Sequence, residues 1–177
     1  MSSTLIETER LVIREMSEAD TDAFLKIFSD PVAMEYFGVL FDRPRMERWV
    51  RSNLDHQREH GFSLMTLVLK DGGAVIGDCG LETTEIDGAL RVGIGFDINR
   101  NYWNEGYATE AARAVIDYGF GGFDFDKLSA WINPDNVGSR RVAEKIGMTV
   151  ETSVERGGKP YVLYSISRAD WQTNRQL

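Results

Sequence analysis

The 177-residue sequence contains one cysteine, Cys79, so no disulfide within the chain can staple it. It has no uninterrupted apolar run near the ~18 residues that a membrane-spanning helix requires. Its start, MSSTLIETER, lacks the basic segment and apolar stretch of a secretory signal. These absences lead to the expectation of a soluble, cytoplasmic protein. Basic charge is also scarce: 20 Lys and Arg stand against 28 Asp and Glu, for a net charge of −8. That balance repels nucleic acid and anionic membranes over the surface as a whole, so neither is expected as a partner and any polyanionic ligand must be bound locally. No block of like charges, internal repeat or low-complexity tract marks off a linker or tail. What is present, 42% hydrophobic residues, suffices for one sizeable core and falls short of two ordinary domains. A single domain over 1–177, monomeric or homodimeric, is expected.

Periodicity and punctuation give a coarse order of elements. ERLVIREM reads as a first strand, and SEAD (Ser17 to Asp20) as a capping-box-like start for a helix carrying Phe24, Ile27 and Phe28. Asp42 and Pro44 open a second helix with Met46, Trp49, Val50 and Leu54 on one stripe, closed by Gly61. FSLMTLVLK, AVIGDCGLETTEI and ALRVGIGFDI, joined by DGG and DG, predict an antiparallel meander over 62–98. The pattern then switches to a helix from Gly106, the strand KLSAWIN, a helix from about Asn136 ended by Gly147, and two strands either side of GGK. The fold class is mixed α/β, with crossovers in the second half.

In the third meander strand, Leu90, Val92, Ile94, Phe96 and Ile98 alternate with Ala89, Arg91, Gly93, Gly95 and Asp97. The second face is bare at its centre. Two glycines there predict either a bulge that eases packing or a floor on which a ligand lies. NYWNEGYATEAARAV follows, a loop running into a helix whose first turns are small residues. The leading N–H groups of a helix lack intrahelical acceptors and sit at the positive end of the macrodipole, so such a start can hold a pyrophosphate without a metal. Ala108, Ala111 and Ala112 let the helix lie close to the sheet. Ordinary capping is the alternative for a lone glycine in this place.

The string YWNEGYATEAARAV resembles the acyl-CoA-binding motif of the GNAT N-acetyltransferase superfamily, in its ribosomal-protein N-terminal acetyltransferase-like (Rim-like) branch. TERLVIREMSEADTDAF, VIGDCGL and NPDNVGSRRVAEKIGM resemble that branch's other segments, in the same order. The resemblance covers nearly the whole chain and implies a GNAT-like fold, a central mostly antiparallel twisted sheet with helices on both faces. The superfamily's R/Q-x-x-G-x-G/A pattern falls on Trp103, Gly106 and Ala108. It implies that the backbone of Trp103, Asn104, Glu105, Gly106, Tyr107, Ala108 and Thr109 wraps the pyrophosphate of acetyl-CoA. Asn104 replaces the glycine usual at its place. The resemblance also implies that Asn133, Asn136 and Ser139 face the pantetheine arm, and that the backbone of Phe96, Asp97 and Ile98 holds it like an added strand. A plain N-cap at Asn136 and a first-turn role for Ser139 remain open.

The implied activity is acetyl-CoA-dependent N-acetylation of a primary amine, on a protein N-terminus or a small molecule, by direct attack on the thioester. Such chemistry needs a base for the ammonium, donors for the developing oxyanion and a donor to the departing sulfur. The bulge-prone strand offers backbone N–H groups for the oxyanion. Many family members place a tyrosine acid three residues after the position of Arg140; Ala143 stands there, which leaves Ser139 as the donor to sulfur. A glutamate often found where Gly93 stands is also absent, so Asp97, Glu82 and Glu85 are the candidate bases, with a water relay as the alternative. A non-catalytic acyl-CoA-binding or regulatory module is the rival reading, and a nucleotide-binding oxidoreductase a distant third.

Other signals carry less. GIGFDI (93–98) lacks the third glycine and the directly following helix of a dinucleotide fingerprint. His56 and His60, four apart, read as a polar helix face and not as a metal pair, because no HExxH surrounds them. No metal is expected. Cys79 shares a strand face with Val75 and Leu81 and reads as core.

Overall fold

The computed structural model describes residues 4–86 and 88–176. The first predicted strand is confined to β2 (Leu11–Arg14), with Leu11 and Ile13 fully buried, and a short strand that the sequence reading missed, β1 (Thr4–Glu7), pairs with it antiparallel. Ser17 caps a 3-10 turn (Glu18–Asp20) that runs into α1 (Thr21–Phe28). Its hydroxyl accepts from Ala19, and the Asp20 carboxylate reciprocates by accepting from the Ser17 N–H at 2.9 Å. Asp42 accepts from the Arg45 N–H at 2.9 Å to start α2 (Arg43–His60), and Gly61 closes it. Phe24, Ile27, Phe28, Met46 and Val50 make a core between these helices and one sheet face.

The meander forms as expected, as β3 (Leu64–Leu69), β4 (Val75–Ile86) and β5 (Ala89–Ile98); Asp87 of its DG turn lies outside the described residues. The bulge is not where the glycines predict it. β4 and β5 pair without interruption from Gly77 opposite Ile98 to Ile86 opposite Ala89. The irregularity lies between β3 and β4, where Leu67 pairs with Gly77 but Val68 with Val75. One extra residue there flips the alternation, so Val75 packs toward α1 and α2 while Ile76 joins Cys79 and Leu81 in the other core.

α3 (Tyr107–Gly122), β6 (Lys127–Ile132), α4 (Val137–Lys145), β7 (Thr149–Arg156) and β8 (Lys159–Ser167) complete the predicted order. A short helix absent from the sequence reading, α5 (Arg168–Asn174), follows; its Trp171 donates to Asp117 at 2.6 Å, and Arg168 donates to the carbonyls of Phe120, Phe123 and Phe125. The eight strands form one sheet in the order β1-β2-β3-β4-β5-β6-β8-β7, antiparallel except where β5 meets β6. Ala111, Ala112, Val115 and Ile116 of α3 are buried in the larger core, as small residues on a closely packed helix should be. Among the described residues no helix is long and apolar enough to cross a membrane.

Candidate functional site

β5 and β6 are parallel and register at one position, Gly93 opposite Ser129. Beyond it they part, and a cleft of about 270 Å³ opens between Gly95, Phe96 and Asp97 on one side and Ala130, Trp131, Ile132 and Asn133 on the other. The glycine-cleared face of β5 is partly filled by neighbours. A Cβ on Gly93 would lie 3.0 Å from the Trp131 ring, and one on Gly95 would lie 3.1 Å from Leu64 and 3.9 Å from Glu82 Oε1. The glycines therefore make room for side chains from adjacent strands, and only Gly95 itself lines the cleft.

Glu82 pairs across the ladder with Gly93, so β4 presents a carboxylate beside the position where the family's glutamate is missing. Burial holds the Glu82 carboxyl above its ordinary range, against the opposing pull of Arg156. Asp97 is raised to about 7, first by burial and then by the charge of Glu82. Both line the cleft. Glu85 is exposed and does not. Asp78, directly opposite Asp97 on β4, is fully buried, its two oxygens accept no hydrogen bond among the described residues, and desolvation and the charges of Asp97 and Glu82 push it well up. The sequence reading missed Asp78, although alternation in VIGDCGLE puts it on the face of Glu82.

After β5 a 3-10 turn (Arg100–Tyr102) leads to the start of α3. Asn104 (φ 64°) and Gly106 (φ 83°) both adopt the left-handed conformation, so Asn104 supplies the backbone turn that glycine would have given. Gly106 is the N-cap and has no side-chain cap; the first helical bond runs from the Glu110 N–H to the Gly106 carbonyl at 3.0 Å. The N–H groups of Tyr107, Ala108 and Thr109 precede it, the donor set that a pyrophosphate requires. A clamp fixes this start: Arg10 donates to Glu110 Oε2 at 2.7 Å and to the Glu105 carbonyl at 2.8 Å, and stacks 4.2 Å over Tyr107. Burial alone would raise the Glu110 carboxyl, but hydrogen bonds from Thr8 and Arg10 hold it low. Trp103 donates its indole N–H to the Ile98 carbonyl at 2.7 Å, which ties the loop to the strand end and engages one backbone group expected to face the pantetheine arm.

Asn136 is the N-cap of α4, accepting from the Ser139 N–H at 3.0 Å, and Asn133 Oδ1 accepts from the Asp135 N–H at 2.9 Å. Capping thus occupies the oxygens of both asparagines and leaves their amide NH2 groups to donate. Asn133, Asn136 and Ser139 all line the cleft. Ala143 is fully buried in the core behind them. A tyrosine the sequence reading did not single out, Tyr161 of β8, lines the cleft instead, and from α1, α2 and their connection come Phe28, Trp49, Tyr36 and Phe37.

The remaining candidates take structural places. The His56 ring bonds to the Phe62 carbonyl at 2.7 Å and the Thr83 hydroxyl at 2.9 Å, with His60 packed 4.3 Å away, ring centre to ring centre. Cys79 is fully buried, and burial and the charge of Asp78 push its thiol up.

A family model described as Acetyltransferase (GNAT) domain matches residues 10–149. The chain is 37% identical over 164 residues to the protein YkkB of Bacillus subtilis (strain 168), covering 92% of this chain and 95% of that protein. It is 34% identical over 148 residues to the N-acetyltransferase YnaD of the same organism, covering 82% and 83%. In fold alone, it resembles the aminoglycoside acetyltransferase AAC(6')-Ib solved with coenzyme A, with a TM-score of 0.77 at 19% identity over 93% of this chain and 99% of that one.

Proposed function

Because this chain belongs to the GNAT acetyltransferase family, whose members draw on acetyl-CoA, we propose that its cleft transfers acetyl to a primary amine of a small molecule or a protein N-terminus by direct attack on the thioester. The observation that carries this reading is the continuity of one strand: β5 brings Asp97 into the cleft and then leads, within a few residues, to the uncapped start of α3.

Acetyl-CoA supplies an activated acetyl group as a thioester. The N–H groups from Tyr107 to Thr109, at the start of α3 behind the left-handed Asn104 and Gly106, would hold its pyrophosphate, with Trp103 and Glu105 completing the loop. The backbone of Phe96 and Asp97 and the amide groups of Asn133 and Asn136 would line its pantetheine arm; Ile98 contributes less, since its carbonyl already accepts from Trp103. On the acceptor side, Asp97 takes the proton of the incoming ammonium. A carboxyl near 7 is half ionised at neutral pH, where a base is most effective. The amine nitrogen then bonds to the acetyl carbon as the carbon–sulfur bond breaks, and it sheds its second proton to solvent; the sulfur leaves as the thiolate of coenzyme A, with the Ser139 hydroxyl or Tyr161 donating a hydrogen bond to it. No acyl-enzyme is needed: Cys79 is buried away from the cleft, and the Ser139 hydroxyl has no basic partner among the described residues.

The same reading takes residues 1–177 as one cytoplasmic N-acetyltransferase domain, kin to the Rim-like branch. It is tested by measuring thiol release from acetyl-CoA with and without amines, beside the melting temperature. Amine-dependent release and a ligand-induced rise are expected; a chain that neither binds nor consumes acetyl-CoA contradicts it.

A further inference from the structure

Resting on the reading of this cleft as an acetyl-transfer site, we propose that its acceptor is a small primary amine with one positive charge and a flat or compact apolar body, and not a polyamine, an aminoglycoside or a peptide N-terminus.

The walls carry the first part of the case. Phe28 and Trp49 lie 4.9 Å apart and Phe24 and Trp49 5.4 Å, ring centre to ring centre, in tilted and edge-to-face contact, so this wall is a packed aromatic cluster that exists before any ligand arrives. Phe37 extends it to the rim, 6.2 Å from Phe28. Trp131 faces it from β6, seated over Gly93 with Arg156 stacked on its ring at 5.2 Å. Aromatic faces attract an ammonium and pack well against a planar or compact body, and they are fixed here with little entropy left to lose.

Charge carries the second part. Glu82 and Asp97 are the acids that line the cleft, they lie close together, and burial holds both toward neutrality. One ammonium is compensated there; further charges of a polyamine or aminoglycoside would enter apolar surroundings without a counterion. Two cations stand beside the residues of these walls. Arg156 stands over Trp131, and Lys159 Nζ would come within 2.6 Å of a Cβ on Gly38, beside Phe37. A polycation meets like charge on entry. A peptide N-terminus brings amide groups that aromatic carbon leaves unpaired.

Volume agrees. At about 270 Å³ the cleft falls at the lower edge of the ~300–1,000 Å³ usual for small-molecule sites, and it must also admit the acetyl group.

The test compares 2-phenylethylamine with spermidine, kanamycin and a free tetrapeptide. Thiol release gives kcat/KM, and quenching of tryptophan fluorescence, since Trp49 and Trp131 line the cleft, gives binding independent of turnover. Expected is a kcat/KM for 2-phenylethylamine at least about tenfold above each of the others, and a roughly tenfold rise in its KM in Trp49→Ala with the KM for acetyl-CoA unchanged. Phe37→Ala, on a half-exposed ring, gives the same comparison if Trp49→Ala does not fold. Equal or better turnover of spermidine, kanamycin or the peptide overturns the acceptor class and leaves the acetyltransferase reading standing. If no amine is acetylated, that reading fails, and the fluorescence titration still decides: selective quenching by 2-phenylethylamine supports the pocket's chemistry, and its absence overturns it.

Discussion

Asp78 and Asp97 face each other across the β4–β5 ladder, and Asp78 is fully buried with no hydrogen-bond donor to either oxygen among the described residues. Two adjacent carboxylates resist ionising together in such a place, so burial and the charges of Asp97 and Glu82 hold Asp78 toward its protonated form, while Asp97 titrates near 7.

This relationship has a thermodynamic signature. The folded-state pKa of Asp78 lies above its unfolded value of ~3.9, so the folded chain binds that proton more tightly; the resulting stability is present at low pH and is lost as pH rises toward the folded pKa. Asp20, Glu110 and Glu151 shift the other way, and their contribution is complete above about pH 5. Stability of the wild type should therefore fall as pH rises from about 5 toward 7, and Asp78→Asn should reduce that slope by up to about 1.4 kcal/mol per pH unit. Urea unfolding at several pH values measures it. Equal slopes in the two proteins would show that Asp78 is not held protonated.

On the proposed reading, Asp97 and its neighbour Glu82 set the pH dependence of turnover. With Asp97 as base, kcat/KM should rise with an apparent pKa near 7, and Asp97→Asn should abolish the limb and slow the reaction by roughly 10²- to 10⁴-fold. Glu82→Gln removes a negative neighbour, so it should move the limb to lower pH. If Glu82→Gln abolishes the limb and Asp97→Asn only displaces it, the two roles are exchanged.

Local signals wrote much of this site into the sequence. The Ser17 and Asp42 caps, the DGG turn and the alternation of ALRVGIGFDI are readable because each is satisfied within a few residues of itself. The start of α3 was legible for the same reason. β1 and α5 were not: one is four residues long, and the other is a polar segment held by distant partners, Asp117 and the carbonyls of Phe120, Phe123 and Phe125. Of the acceptor wall, Trp131 and Tyr161 were not legible, because they meet Tyr36 and Trp49 only after two helices fold over the sheet and β6 parts from β5. Val75 was misplaced because a bulge in β4 shifts the period by one, and nothing in AVIGDCGL announces it.

Gly106 has a conformational reason beyond open space. At φ 83° an alanine is strained by roughly 1–2 kcal/mol, and its methyl would sit 3.4 Å from the Arg10 guanidinium that fixes the loop. Gly106→Ala should lower the melting temperature by a few degrees and shrink the rise produced by acetyl-CoA. A full ligand-induced rise in this variant would place the pyrophosphate elsewhere.

Ser139 and Tyr161 compete for the role of donor to sulfur. Thiolate is already a stable leaving group, so Ser139→Ala should lower kcat about ten- to a hundredfold with the KM for acetyl-CoA nearly unchanged. Should Tyr161→Phe give that loss and Ser139→Ala none, the tyrosine replaces the missing acid from β8.

The central claim is that this cleft performs acetyl transfer and does more than bind an acyl-CoA. Acetyl-CoA with an isotopically labelled acetyl group, incubated with enzyme and an amine, is followed at once by thiol release and by mass spectrometry of the amine. The account predicts label on the amine nitrogen in one-to-one proportion to thiol, suppressed in Asp97→Asn at neutral pH. Saturable binding of acetyl-CoA with no amine-dependent release, over a panel of amines and across pH 6–9, would contradict it and leave a non-catalytic acyl-CoA-binding module.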